Sequence, residues 1–170
     1  MVVSTSLRIA GDELDEDIIN YIKREKGLAV GNTTAEEIKK EIGCALPLVT
    51  EMEKKIRGRD LATGLPKDVI ITSGEVQEAM ADSIAEIIES VKTTLEKTPP
   101  ELASDIVEKG IVLAGGTSLI KNLDKLISQK TGMPVYIADD PLECVVKGTG
   151  KTIEELESLK AVLVNARKRR

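Results

Sequence analysis

The run Ile111-Val112-Leu113-Ala114-Gly115-Gly116-Thr117-Ser118-Leu119-Ile120 is the stretch whose residue types are best suited to hold a ligand. Four apolar residues, two of them β-branched, predict a short buried strand, and the Gly-Gly pair ends it sharply. Thr117 or Ser118 is placed to cap a helix carrying Leu119, Ile120, Leu123, Leu126 and Ile127 on one face. Glycines without Cβ let the backbone approach a ligand closely, and the first N–H groups of a helix face the same gap. An ordinary strand-to-helix turn accounts for the same residues, so the rest of the chain has to decide. A second stretch, Thr33-Thr34-Ala35-Glu36-Glu37-Ile38-Lys39-Lys40, offers carboxylates and ammonium groups beside overlapping capping boxes, Thr33 with Glu36 and Thr34 with Glu37. In the helix it predicts, Ile38 and Ile42 point inward, and Glu36, Lys39 and Lys40 take the opposite, solvated side.

Other chemistries are excluded by what the chain does not contain. It has no histidine, which removes imidazole bases, Ser–His and Cys–His pairs and imidazole metal sites. Cys44 and Cys144 lie far apart with no CxxC spacing, as expected of two small buried hydrophobes in a reducing compartment. With two Tyr and no Phe or Trp, the core must come from Ile, Leu, Val and Ala, and no platform for stacking bases is available. A net charge of −5 likewise argues against nucleic acid as a partner. No apolar run approaches the roughly 20 residues that span a bilayer, and the reading is a cytoplasmic, globular protein with 41% apolar and 31% charged residues.

The elements that must position these residues follow from periodicity. Val2 to Ile9 alternates as a strand does. Leu14, Ile18, Ile19 and Ile22 form one stripe of a helix that starts after Gly11 and stops at Gly27, with acids in its first turn and bases in its last. Residues near 50–57 and Asp68–Thr72 read as the two strands of a hairpin across a turn-rich stretch. Thr72-Ser73-Gly74-Glu75 opens a single long helix through Leu95, halted by Pro99-Pro100, and a short helix covers Glu101–Glu108. Pro134–Ala138 is a further strand. Gly148-Thr149-Gly150 precedes a final helix with Ile153, Leu156, Leu159, Val162 and Leu163, and a basic tail, Arg167–Arg170, follows.

In their order and spacing several motifs resemble the C-terminal half of the MreB/Mbl family of bacterial actins. They are Leu7–Asp15, Thr34–Lys39, Arg57-Gly58-Arg59-Asp60-Leu61 with Thr63-Gly64-Leu65-Pro66, Thr98–Ala103, Ile111–Leu119, Asp139–Leu142 and Gly148–Lys151. The resemblance runs to about Leu159. It implies an α/β, actin-like (ribonuclease H-like) half of an ATPase domain, a mixed sheet with flanking helices. Residues 1–30 and 73–145 would form the second large domain, 31–72 a small inserted α+β lobe, and 146–170 a C-terminal helix packing on the first domain.

By the same resemblance Gly115, Gly116, Thr117 and Ser118 would lie against adenosine, and Glu36, Glu37, Ile38 and Lys39 would reach purine and ribose from the other side. The family usually carries a third glycine where this chain has Thr117. The cofactor implied is ATP with magnesium, whose metal contacts belong to the other half of the family's sequence. The partners implied are other copies in a filament and cell-wall elongation proteins, with cytoplasmic, membrane-associated filaments organising rod shape. Neither the Asp-x-Gly-Thr nor the Asp-x-Gly-Gly-Gly-Thr phosphate loop occurs in these 170 residues. Phosphoryl transfer depends on charge stabilisation at the γ-phosphate, so the chain alone is expected to be no ATPase. Alternatives of other classes are a sugar or acetate kinase of the same superfamily and a non-hydrolysing interaction module.

Overall fold

The computed structural model describes residues 2–156. Its centre is the helix α1 (Gly11–Lys26), whose Leu14, Ile18 and Ile22 are fully buried, as the three-and-four spacing predicts. Gly27 closes it in the left-handed conformation. A two-residue strand β1 (Leu28–Ala29) leads into α2 (Asn32–Ile42), which lays Ala35, Ile38 and Ile42 against α1. The hairpin follows as β2 (Glu53–Asp60) and β3 (Pro66–Thr72), and β1, β2 and β3 make an antiparallel sheet in that order. Its inward residues Ile56 and Ile71 join the core that α1 and α2 line. Buried side chains of α1, α2 and the hairpin belong to one cluster.

Three of the remaining helices add to that core. α3 (Ser73–Ala79) begins with a full capping box: Glu75 N–H donates to the Thr72 hydroxyl, and Thr72 N–H donates to the Glu75 carboxylate. α4 (Ala81–Glu96) contributes Ile84 and Ile88. Pro100 stands at the first position of α5 (Pro100–Lys109), where its missing N–H costs nothing. β4 (Ile111–Leu113) pairs in parallel with β5 (Val135–Ile137), joined through a short 3-10 turn at Gly116–Leu119 and α6 (Leu123–Thr131). α7 (Cys144–Glu154) is the last described helix.

Six expectations about the elements are corrected. β4 is not a buried strand: Val112 is exposed and Ile111 and Leu113 are half-buried, because among the described residues its sheet has only two strands. Residues 2–9 form no strand: they run without regular structure, because nothing described pairs with their backbone. The long helix after Thr72 is interrupted at Met80, where the backbone flattens to φ −89° and ψ 0°, although i-to-i−4 hydrogen bonds from Met80 to Val76 and from Ile84 to Met80 keep these three buried side chains on one face. The capping boxes at Thr33 and Thr34 are not formed; Gly31 is the cap residue, so both threonines fall inside the first turn of α2. Gly148-Thr149-Gly150 lies within α7 instead of preceding a new helix, since local hydrogen bonds carry the helix across two glycines. Cys44 is buried, but Cys144 is only half-buried. Leu159, Val162, Leu163 and the basic tail lie outside the described residues.

Candidate functional site

Two pieces of backbone bonding bring the distant stretches together. Where α2 ends, Ala45 N–H donates to Lys121 O at 2.8 Å and Lys121 N–H donates to Gly43 O at 3.3 Å. This short parallel bridge fastens the C-terminal end of α2 beside the diglycine turn. On the other flank Gly115 N–H donates to Pro141 O at 2.8 Å, and Ala138 N–H to Leu113 O at 2.9 Å, seating the loop that carries Leu142. The result is a cleft of about 530 Å³ between the start of α1, one face of α2 and the turn after β4. That volume is in the range of small-molecule sites.

The turn itself does not form the capped helix expected of it. Ser118 is buried and its hydroxyl donates back to Gly115 O at 2.6 Å; a 3-10 turn intervenes, and α6 starts only at Leu123 behind Asn122. Gly115 has φ 89° and ψ 172°, a conformation open essentially to glycine alone. Gly116 has no such constraint, and a Cβ there would meet only Leu142 Cδ2 at 3.5 Å. The first glycine thus makes the turn, and the second keeps the cleft wall low.

Of the eight residues marked in the sequence, Glu36, Lys39, Gly116 and Thr117 line this cleft. Gly115 and Ser118 shape the turn from behind it. Ile38 is fully buried in the core and holds α2 against α1. Glu37 is on the far side of α2, 4.0 Å from Lys54 of the hairpin.

The charges on the cleft side of α2 are paired. Glu36 and Lys40 form an exposed i,i+4 ion pair at 2.7 Å. The hydrogen bond from Lys40 holds the Glu36 carboxyl below its ordinary range, and Glu36 raises the Lys40 ammonium in return. Lys39 is not solvated as expected. Its ammonium donates to Asp15 Oδ2 at 2.8 Å and to Gly11 O at 2.7 Å, and both side chains are about nine-tenths buried.

Gly11, Asp12, Asp15, Lys40, Leu119, Ile120 and Leu142 also line the cleft and were not marked. The spacing of residues 11, 12 and 15 puts them on one helical face, but that pattern also describes a favourably charged helix start. Leu119, Ile120 and Leu142 supply an apolar wall opposite the charged one. No cluster of three Cys, Asp or Glu side chains suited to a metal ion occurs among the described residues.

Helices packed on small sheets make this an α/β protein, and its structural neighbours give the fold as actin-like. The chain superposes with the crystal structure of MreB5 of Spiroplasma citri bound to ADP with a TM-score of 0.87 at 41% identity, covering 92% of this chain and 49% of that one. The family described as MreB/Mbl protein matches residues 1–161, and the chain belongs to that family. It is 48% identical over 157 residues to the cell shape-determining protein MreB of Escherichia coli, covering 92% of this chain and 45% of that protein. To the cell shape-determining protein Mbl of Bacillus subtilis it is 42% identical over 159 residues, covering 94% and 48%. The chain therefore spans about half the length of the curated relatives it matches. No helix among the described residues is long and apolar enough to cross a membrane.

Proposed function

We propose that this chain carries the second-domain half of a filament-forming, cell shape-determining protein, and that its cleft takes the adenosine side of ATP. The observation behind this reading is the convergence of Glu36 and Lys39 with Gly116 and Thr117 on one cleft, although some 80 residues separate them in the chain. An ammonium and a carboxylate on one wall suit the hydroxyls of a ribose, and Leu119, Ile120 and Leu142 suit a flat purine. The low backbone at Gly116 admits a ligand that a side chain would push away. The relatives are about twice as long, and one of them was solved with ADP. The triphosphate and its magnesium would be held by family residues outside these 170, so the chain alone binds weakly and does not hydrolyse. Self-assembly, cell-wall elongation partners and membrane-associated cytoplasmic filaments belong to the same proposal.

The test is calorimetric titration of the 170-residue chain with ATP, alone and mixed with a separately made first half of an MreB protein. Binding and turnover that require mixing are expected. A mixture that neither binds nor hydrolyses ATP defeats the reading. Within that assay Gly116→Val should weaken ATP at least tenfold, about 1.4 kcal/mol, because its branched side chain would occupy the cleft wall; unchanged affinity would remove Gly116 from the site.

A further inference from the structure

Asp15 lines the cleft yet is buried, and among the described residues only one of its carboxylate oxygens has a partner. Oδ2 accepts from Lys39, whereas Oδ1 is inaccessible and has no hydrogen-bond partner. An orphaned buried acceptor is unfavourable, and a buried carboxylate is rarely kept for stability alone. Its partner offers a reason. A lysine ammonium has three protons; two are taken, by Asp15 Oδ2 and Gly11 O, while Lys39 still lines the cleft. Gly11 contributes a further element: a Cβ at this position would come within 3.2 Å of the Lys39 ammonium. Three features of α1 thus converge on one atom of α2: an acceptor carboxylate, an acceptor carbonyl and the space left by a missing side chain.

We infer that Asp15 is a positioning residue for Lys39, pinning its ammonium at the cleft wall with one proton left for a ligand acceptor. The inference deepens the nucleotide reading above and rests on it for the identity of the ligand. A long lysine stem otherwise loses rotamer freedom when a ligand engages it. Held by two acceptors in the free protein, Lys39 has already given up that freedom. Lys40 next to it is two-thirds exposed, and its ion pair among the described residues is with Glu36, one turn back on the same helix.

The test has a ligand-free arm and a ligand arm. In the nucleotide-free chain, acetylation by acetic anhydride is followed by mass spectrometry at Lys39 and Lys40. Lys39 should react at least tenfold more slowly than Lys40, and Asp15→Asn should abolish most of that protection while the melting transition confirms folding. Protection that survives Asp15→Asn overturns the inference, whatever the chain binds. In the ligand arm ATP is titrated into the wild type, Asp15→Asn, Lys39→Met and the double variant, each mixed with the separately made first half. Asp15→Asn should weaken ATP several-fold in the wild-type background and not at all in the Lys39→Met background. Equal weakening in both backgrounds would mean that Asp15 acts on the fold and not through Lys39, and would overturn the inference. A wild type that binds no ATP defeats the nucleotide reading, and the acetylation arm then decides by itself whether Asp15 pins Lys39.

Discussion

Two helices of this chain, α2 and α7, are each 11 residues long with an apolar stripe along one side. They end up in opposite situations. α2 buries Ala35, Ile38 and Ile42 against α1, whereas α7 buries nothing and leaves Val145 and Val146 73% exposed and Ile153 67% exposed. The difference does not come from amphipathicity, which both possess. It comes from having a partner: α2 faces a helix whose Leu14, Ile18 and Ile22 are fixed in the core, and no described element covers α7. An apolar face specifies only that something should cover it.

The comparison can be attacked most directly through stability. Ile38→Ala should cost about 2–5 kcal/mol, the usual range for emptying a packed core site. Val146→Ala should stay within about 0.5 kcal/mol, as for other exposed positions. Urea unfolding of both variants measures this, and similar losses would mean that α7 is packed after all. The diglycine turn lies between the two regions and should split in the same way. Gly115→Ala forces a side chain into a left-handed conformation at about 1–3 kcal/mol, while Gly116→Ala meets only ordinary contact with Leu142 and should be nearly neutral for folding.

Smaller effects sharpen the contrast. If α7 presents an uncovered face, the chain should associate as its concentration rises, and Val146→Glu with Ile153→Glu, two turns apart on one side, should weaken that association roughly tenfold or more, about 1.4 kcal/mol. Sedimentation velocity across a wide concentration range reads the shift; a wild type that stays monomeric throughout would show that the exposed stripe is harmless. The last contrast is between two capping signals. Thr72→Ala removes a formed capping box and should cost about 1 kcal/mol, while Thr33→Ala removes a hydroxyl that caps nothing. Equal losses in thermal melts would mean that Thr33 has a role its position in the first turn of α2 does not reveal.

Sequence alone settled a good deal here, and the reasons are local. The stripe of α1, the hairpin, the start of α3 and the stop at Pro99-Pro100 are legible because helix period, strand alternation and proline geometry act over a few residues. Motif order was enough to reveal the MreB/Mbl family, and composition to set aside imidazole chemistry and base stacking. Tertiary structure decided the rest. Met80 breaks a helix whose local pattern is continuous, Gly148 and Gly150 continue one whose local pattern is broken, and residues 2–9 find no strand to pair with. The site divides along the same line. Glu36, Lys39, Gly116 and Thr117, marked from two separate motifs, line one cleft, and Ile38 is core as its spacing predicts, yet nothing local to Asp15 marks it as buried against Lys39. A carboxylate in the first turn of a helix looks the same whether it faces water or an ammonium from another helix. That distinction depends on packing α2 against α1 and on the bridge between Gly43, Ala45 and Lys121, which are long-range contacts that no local pattern encodes.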